Sequence, residues 1–332
     1  MPAADWIAGA VARLEAMPNV ALHTGVMVSG VYDHGYVLAA QSVPGHRPGT
    51  NTPRERLWRI RADRVVVAAG AIERPLSFAG NDIPGVMLAG AVRDYLADFA
   101  VVAGARTVVV TNNDDAYRTA LALHAAGQAV PAIVDARAET DSLLIAAARE
   151  AGLRIAFGSG IAQVTGGKRV TGVRLCAQSG NGTMTEELRC DAVAMSGGWS
   201  PAVHLFSQCG GKLSWDADQA FFRPDPERAP TGVDGTPFVF AVGAANGHLE
   251  TAAARADAAG APIPPATEAP IAPVWRMPAQ APVKLREKTW LDFQNDVKVS
   301  DVQLAAREGF ESGEHAKRYT TLGMATDQGK LS

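Results

Sequence analysis

Apolar and polar positions change period along this chain, and the changes mark its elements. Residues 5–17 place Trp6, Ile7, Ala10, Val11 and Leu14 on one face at helical spacing, so an amphipathic helix is expected there. "NVALHTGVMVSGVY" (19–32) then alternates as strands do, and "QSVPGHRPGTNTPRERL" (41–57), with its Pro, Gly and Arg, reads as a hairpin loop. "LWRIRADRVVVAAG" (57–70) closes this part as a strand pair ending on Gly70. From there the rhythm is strand 107–111, helix 116–126, strand 130–134 and helix 140–151, followed by "LRIAFGS". Alternation of that kind predicts a parallel sheet with crossover helices, an α/β fold. Residues 161–196 read as short antiparallel strands. Residues 261–282, rich in Pro and Ala, have linker composition and set a boundary near 270. "VSDVQLAAREGF" and "SGEHAKRYTTLGM" follow as two short helices, each with Ser or Asp near its start for capping.

A weak internal repeat lies across these elements. "ADRVVVAAGAIERP" (62–75) and "CDAVAMSGGWSP" (190–201) share an Asp, a hydrophobic strand, a small-residue turn and a proline, and "TPFVFAVGAANG" (236–247) ends the same way. Three strands thus end in bare backbone, at Gly70-Ala71, Gly197-Gly198 and Gly243-Ala244. Ligands of open α/β folds bind at the carboxyl edge of the sheet, where small residues let them approach the main chain. Trp199 and His248 stand beside two of these turns, Trp199 with a flat ring for stacking, although packing is the commoner use of either residue type.

The strand-to-helix turn inside "VVVTNNDDAYRTALALHAAG" (108–127) carries the opposite signal. A dinucleotide-binding unit places a glycine-rich phosphate turn there, but the residues are Asn112, Asn113, Asp114 and Asp115. Such side chains cap a helix by accepting its free N–H groups, so the unit is expected to keep the architecture without binding pyrophosphate at this turn.

Composition narrows the classes without choosing among them. The chain of 332 residues is 47% apolar and 20% charged with a net charge of -3, which suits a protein with a substantial core and gives no basic footprint for nucleic acid. It has no apolar run long enough for a membrane span, and its N-terminus carries acids rather than a basic signal region. The three cysteines, Cys176, Cys190 and Cys209, match no metal or redox spacing, and their odd number fits a reduced, cytoplasmic protein. None of the histidines is paired at ligand spacing, and no local nucleophile motif occurs.

Four strings are long and peculiar enough to carry a resemblance: "VVVAAGAIERPLSFAGNDIPGVML", "VVVTNNDDAYRTALALHAAG", "AMSGGWSPAVHLFSQCGGKL" and "WLDFQNDVKVSDVQLAAREGFESGEHAKRYTTLGMATDQGK". Together they resemble the alpha subunit of heterotetrameric sarcosine oxidase over nearly the whole chain. The resemblance implies part of a two-dinucleotide-binding-domain fold like that of flavoprotein reductases, with a small C-terminal helical module. Residues 1–105 would be the remainder of a first FAD/NAD(P)-binding-like domain, 106–160 a degenerate second unit, and 161–260 strands returning to the first domain. Residues 261–285 would be the linker and 286–332 the module. It further implies an oxidoreductase complex with beta, gamma and delta subunits that converts sarcosine to glycine, forms hydrogen peroxide and passes a one-carbon unit to tetrahydrofolate as methylene-tetrahydrofolate. NAD would be bound to this subunit without turning over, and FMN would lie at the alpha–beta interface. No catalytic residue is expected in this chain.

Carried over residue by residue, the NAD pocket falls on Ala69, Gly70 and Ala71, on Gly197, Gly198 and Trp199, and on Gly243, Ala244, Asn246 and Gly247. Ala244 stands where flavin reductases usually have Asp, and Ala69 where Thr is common. The family's G-x-G-x-x-G fingerprint would lie upstream of residue 1 and its folate-binding domain beyond the last residue, so the chain reads as an internal piece. In related amine and opine dehydrogenases the C-terminal module holds an iron–sulfur cluster through cysteines, but here Asp292, Gln294 and Asp327 occupy those positions, so no cluster is expected. "RYTTLGM", with Thr320, Thr321 and the nearby Lys317 and Arg318, offers phosphate-reaching groups or plain helix capping. Two rival readings follow: the nucleotide-binding subunit of a related opine or proline dehydrogenase, against which the missing cysteines speak, and a truncated scaffold without cofactor.

Overall fold

A computed structural model describes residues 3–43, 45–47, 49 and 51–331. The chain divides into two compact units. The smaller is made of the described residues up to Val67 together with Val203–Leu213 and Pro224–Ala241; the larger is made of Ala68–Ala202, Ser214–Arg223 and the described chain from Val242 onward.

In the smaller unit the expected amphipathic helix spans Ala3–Glu15. Strands Val26–Tyr32, Tyr36–Ser42 and Glu55–Arg61 form an antiparallel meander in chain order. The connection between the last two is the loop read from "VPGHRPGTNTPR"; Pro44, Pro48 and Thr50 lie outside the described residues. Gly35 is required at the first turn: its φ is +63°, and a Cβ there would stand 1.8 Å from the Ala62 carbonyl oxygen. Val65–Val67 pairs in parallel with Val239–Ala241.

The larger unit is built on a five-stranded sheet. Its order is Val86–Leu88, Ala192–Ser196, Thr107–Thr111, Ile133–Asp135 and Ile155–Ala156, with every pairing parallel. Strand periodicity sends Val108 and Val110 to one core and Val109 to the other. On one face Val109, Ile133 and Ala194 pack with residues of helices Ala89–Phe99, Asp115–Ala125 and Leu143–Glu150, among them Val92, Tyr117, Leu123 and Ile145. On the other, Val108, Val110, Val134, Val193 and Met195 meet Ile161, Val164, Val173 and Leu175 of an antiparallel sheet, Ser159–Gly166, Val170–Ala177 and Glu186–Arg189. Each large aliphatic side chain fully buried this way contributes roughly 1.5–3 kcal/mol.

Two expectations change. The last strand of 161–196, Ala192–Ser196, is not part of the antiparallel set but enters the parallel sheet between Val86–Leu88 and Thr107–Thr111. Both its faces are buried, so its unbroken apolar run does not reveal which sheet it joins. The Pro- and Ala-rich stretch is also not free chain. From Val242 onward it stays within the larger unit without a division near 270. Prolines cannot donate, but carbonyls and the few intervening amides can bond. Ala272 exchanges bonds with Asn112, as amide donor to its carbonyl at 3.2 Å and as carbonyl acceptor from its Nδ2 at 2.7 Å.

Among the described residues from 286 onward, Trp290–Asp292 and Val297–Lys298 form a hairpin, followed by helices Val299–Arg307 and Gly313–Thr320. Asp292 organises this region. Its carboxylate accepts the amides of Gln294 and Asn295 at 2.9 Å each and that of Gly323 at 2.9 Å. Burial works to raise the Asp292 pKa, but these amides outweigh it and hold the carboxyl below its ordinary value. The Thr326 hydroxyl donates to Gln294 Oε1 at 2.5 Å, and Asp327 accepts the amides of Gly329 and Leu331. Thr320 and Thr321 spend their hydroxyls on carbonyls at the helix end, Ala316 and Thr320.

Candidate functional site

The strand-end turns meet in the larger unit. Ala71–Glu73 and Trp199–Pro201 pair antiparallel, with Trp199 opposite Glu73 and Pro201 opposite Ala71. Around this ladder the Gly197 amide donates to the Arg74 carbonyl at 2.7 Å, the Arg74 amide to Gly198 at 2.8 Å and the Ala202 amide to Gly70 at 2.9 Å. The two halves of the weak repeat are therefore stitched to each other immediately past their glycines. The third turn, Gly243–Asn246, is a single 3-10 turn held by Asp257, which accepts the Gly243 amide at 2.7 Å and the Asn246 Nδ2 at 3.3 Å.

These turns border a cavity of about 1070 Å³. Of the residues expected from sequence, Ala71, Gly198, Trp199, Ala244 and Gly247 line it. Ala69, Gly70, Gly197, Gly243 and Asn246 sit beside these in the chain without lining it, Asn246 with its amide committed to Asp257. His248 lines the cavity too, 3.7 Å from the Asp257 carboxylate.

The turn Asn112–Asp115 forms another part of the wall, and its chemistry corrects the capping expectation. Only Asn113 caps, its Oδ1 accepting the Asp115 amide at 3.0 Å. Asp114 is fully buried and turns away from the helix: Arg137 Nη1 lies 2.8 Å from its Oδ1, an ion pair at an angle poor for hydrogen bonding. Its Oδ2 accepts the Ala269 amide at 2.9 Å. Arg137 also grips Asp135 and donates to the Pro270 carbonyl at 3.3 Å, and Tyr117 donates to Asp135 at 2.7 Å. Burial works against the charge on Arg137, but Asp135 and Asp114 outweigh it and hold the guanidinium firmly protonated. Asp115 takes both arms of Arg93 at 3.2 Å, and Arg118 reaches Glu268 at 2.7 Å. Residues 268–272 thus lie across the carboxyl edge of the parallel sheet, bonded to the turn where a dinucleotide fold would take phosphate. At that turn the amides of Asn113 and Asp115 are already taken, by Thr111 Oγ1 at 3.1 Å and Asn113 Oδ1 at 3.0 Å.

Arginines are what sequence reading missed. Arg74, Arg93, Arg118 and Arg223 all line the cavity, and nothing in their spacing marks them as convergent. One of the strand-end glycines makes room for them: a Cβ on Gly198 would stand 2.6 Å from Arg74 Nη2. Glu73 was also missed. It is 5% exposed, its Oε2 accepts the Gly90 amide at 2.8 Å, and its Oε1 has no hydrogen-bond partner.

Two solved structures share the fold. The chain superposes on L-proline dehydrogenase from P. horikoshii with a TM-score of 0.65 at 20% identity, over 98% of this chain and 60% of that one. On T. acidophilum thioredoxin reductase the TM-score is 0.52 at 16% identity, over 77% and 75% of the two chains. The chain shares the α/β fold of these two structures.

Sequence relatives are more particular. Residues 286–332 match the family described as Sarcosine oxidase A3 domain. Sarcosine oxidase subunit alpha of Rhizobium meliloti (strain 1021) is 39% identical over 348 residues, 99% of this chain and 33% of that protein. The same subunit from Corynebacterium sp. (strain P-1) is 40% identical over 353 residues, 99% and 36%. The chain is thus similar over 99% of its length to sarcosine oxidase alpha subunits, and it spans about a third of the length of these relatives. Among the described residues no helix is long and apolar enough to cross a membrane.

Proposed function

We propose that this chain is a nucleotide-holding, subunit-organising part of a sarcosine oxidase alpha subunit, and that the cavity takes NAD. The observation that carries the reading is the convergence of the strand-end turns on one cavity, in a chain 39% identical to such a subunit. Bare backbone at Ala71, Gly198 and Gly247 and the indole of Trp199 suit a flat ring and its ribose. A volume of about 1070 Å³ suits a dinucleotide rather than a small acid alone. The Asn112–Asp115 turn and the segment laid over it do not fit a phosphate, so 106–160 is read as a degenerate dinucleotide unit with a packing role. NAD held this way is a resident group that does not turn over. In the assembled enzyme, with beta, gamma and delta subunits in the cytoplasm, the chain would border FMN at the alpha–beta interface. The sarcosine-oxidising chemistry and the transfer to tetrahydrofolate would belong to other parts of the complex.

Isothermal titration of the full chain with NAD and with FAD tests the proposal, beside an Ala244→Phe variant that fills the cavity from one wall. NAD binding that the variant loses, with FAD not bound, is the expected result. Failure of the unaltered chain to bind NAD would overturn the reading.

A further inference from the structure

The cations around the cavity are not equivalent. Arg93 holds Asp115, Arg118 holds Glu268, and Arg223 lies 3.6 Å from Asp216. Arg74 alone among the lining arginines makes no ion pair among the described residues. Its guanidinium donates only to carbonyls: Nε to Gly197 at 3.1 Å, Nη2 to Gln219 at 3.3 Å, and Nη1 to Ala220. A guanidinium has five N–H donors, so donors remain beyond these three bonds. The carbonyls fix the plane of the fork. Gly198, with φ at +94° and no Cβ, leaves the space the fork occupies, and Trp275 flanks it with its ring centroid 5.8 Å away. Burial disfavours the charge on Arg74, and carbonyl dipoles compensate it less completely than an anion would.

We propose that Arg74 is a built oxyanion subsite of the cavity, placed to receive a phosphate or carboxylate group of the bound ligand as a two-pronged acceptor. The subsite rests on reading the cavity as a ligand site. It follows that an anion is drawn to the Arg74 fork, since the other lining arginines, Arg93, Arg118 and Arg223, already hold carboxylates. A fork held rigid before the ligand arrives loses little side-chain freedom on binding, which is how a preorganised arginine differs from a lysine.

Phenylglyoxal labelling of the unaltered chain, read at Arg74 by peptide mass spectrometry, is run with inorganic pyrophosphate, with malonate and with NAD as protecting probes. Calorimetry with the same probes follows on Arg74→Gln and Arg74→Lys. At least one probe is expected to slow labelling of Arg74 threefold or more, with binding reduced at least tenfold in Arg74→Gln and by less in Arg74→Lys. Protection by pyrophosphate identifies phosphate as the anion; protection by malonate alone identifies a carboxylate. The labelling arm needs no variant, so it decides the matter even where Arg74→Gln does not fold. NAD bound equally well by the unaltered chain and Arg74→Gln, with no protection by any probe, would sink the subsite and leave the NAD reading standing. Pyrophosphate or malonate bound through Arg74 with no NAD bound would do the reverse.

Discussion

Glu73 makes this unit's stability depend on pH in an unusual direction. Its carboxylate sits at the start of helix Ala89–Phe99, where the Gly90 amide bonds Oε2 and Oε1 is left without a hydrogen bond. Burial pushes its pKa from 4.5 up to about 7, with Asp115 adding to the rise and the Gly90 amide and Arg93 opposing it. A carboxyl raised on folding stays neutral in the native chain while the unfolded chain ionises. Below pH 4.5 both states hold the proton and the group costs nothing. Between pH 4.5 and about 7 the unfolded state releases its proton first, so native stability falls as pH rises, and the loss is complete above pH 7. Moving this titration from 4.5 to about 7 corresponds to about 3 kcal/mol. Glu73→Gln keeps an acceptor for the Gly90 amide and removes the charge. Urea unfolding of both proteins at pH 5 and pH 8 should therefore show the variant gaining about 2–3 kcal/mol more, relative to the unaltered chain, at pH 8 than at pH 5, since the unfolded chain is already partly ionised at pH 5. A difference between the two proteins that is the same at both pH values would refute the argument.

Other changes should be felt as directly. Arg137→Met strands Asp114 and Asp135 as buried carboxylates and should cost about 3–5 kcal/mol in the same urea assay; a loss under 1 kcal/mol would mean water reaches the cluster. Gly35→Ala places a methyl 1.8 Å from the Ala62 carbonyl oxygen at a φ of +63°, and should cost about 2–4 kcal/mol in thermal unfolding. Asp292→Ala removes the acceptor shared by three amides of the C-terminal module, so amide exchange at Gln294, Asn295 and Gly323 should speed up at least tenfold. Unchanged protection at those amides would show that the hairpin is held by other contacts.

Much of this arrangement was legible in the amino-acid order because short-range rules govern it. Val108, Val109 and Val110 alternate between two cores, and that strand and the helix after it, Asp115–Ala125, fall close to where the hydrophobic rhythm sets them. Ala192–Ser196 was misread because a strand buried on both faces looks the same in a parallel or an antiparallel sheet. The sequence of the Asn112–Asp115 turn suggests acids that cap a helix. They serve Arg93, Arg118 and Arg137 instead, and the latter's partners lie across the sheet edge and in the Pro-rich segment. Arg74 could be identified only in three dimensions, since its carbonyl partners come from the turns at 197 and 219–220, far away in the chain. Periodicity reports which face a residue lies on; it carries no record of which distant backbone completes a site.

The measurement closest to the central claim is chromatography, with absorbance detection, of the nucleotide released by heat from the purified full chain. NAD near one per chain and no flavin is the expected result. Flavin in its place, or no nucleotide after the chain has also been incubated with NAD and freed of excess, would contradict it.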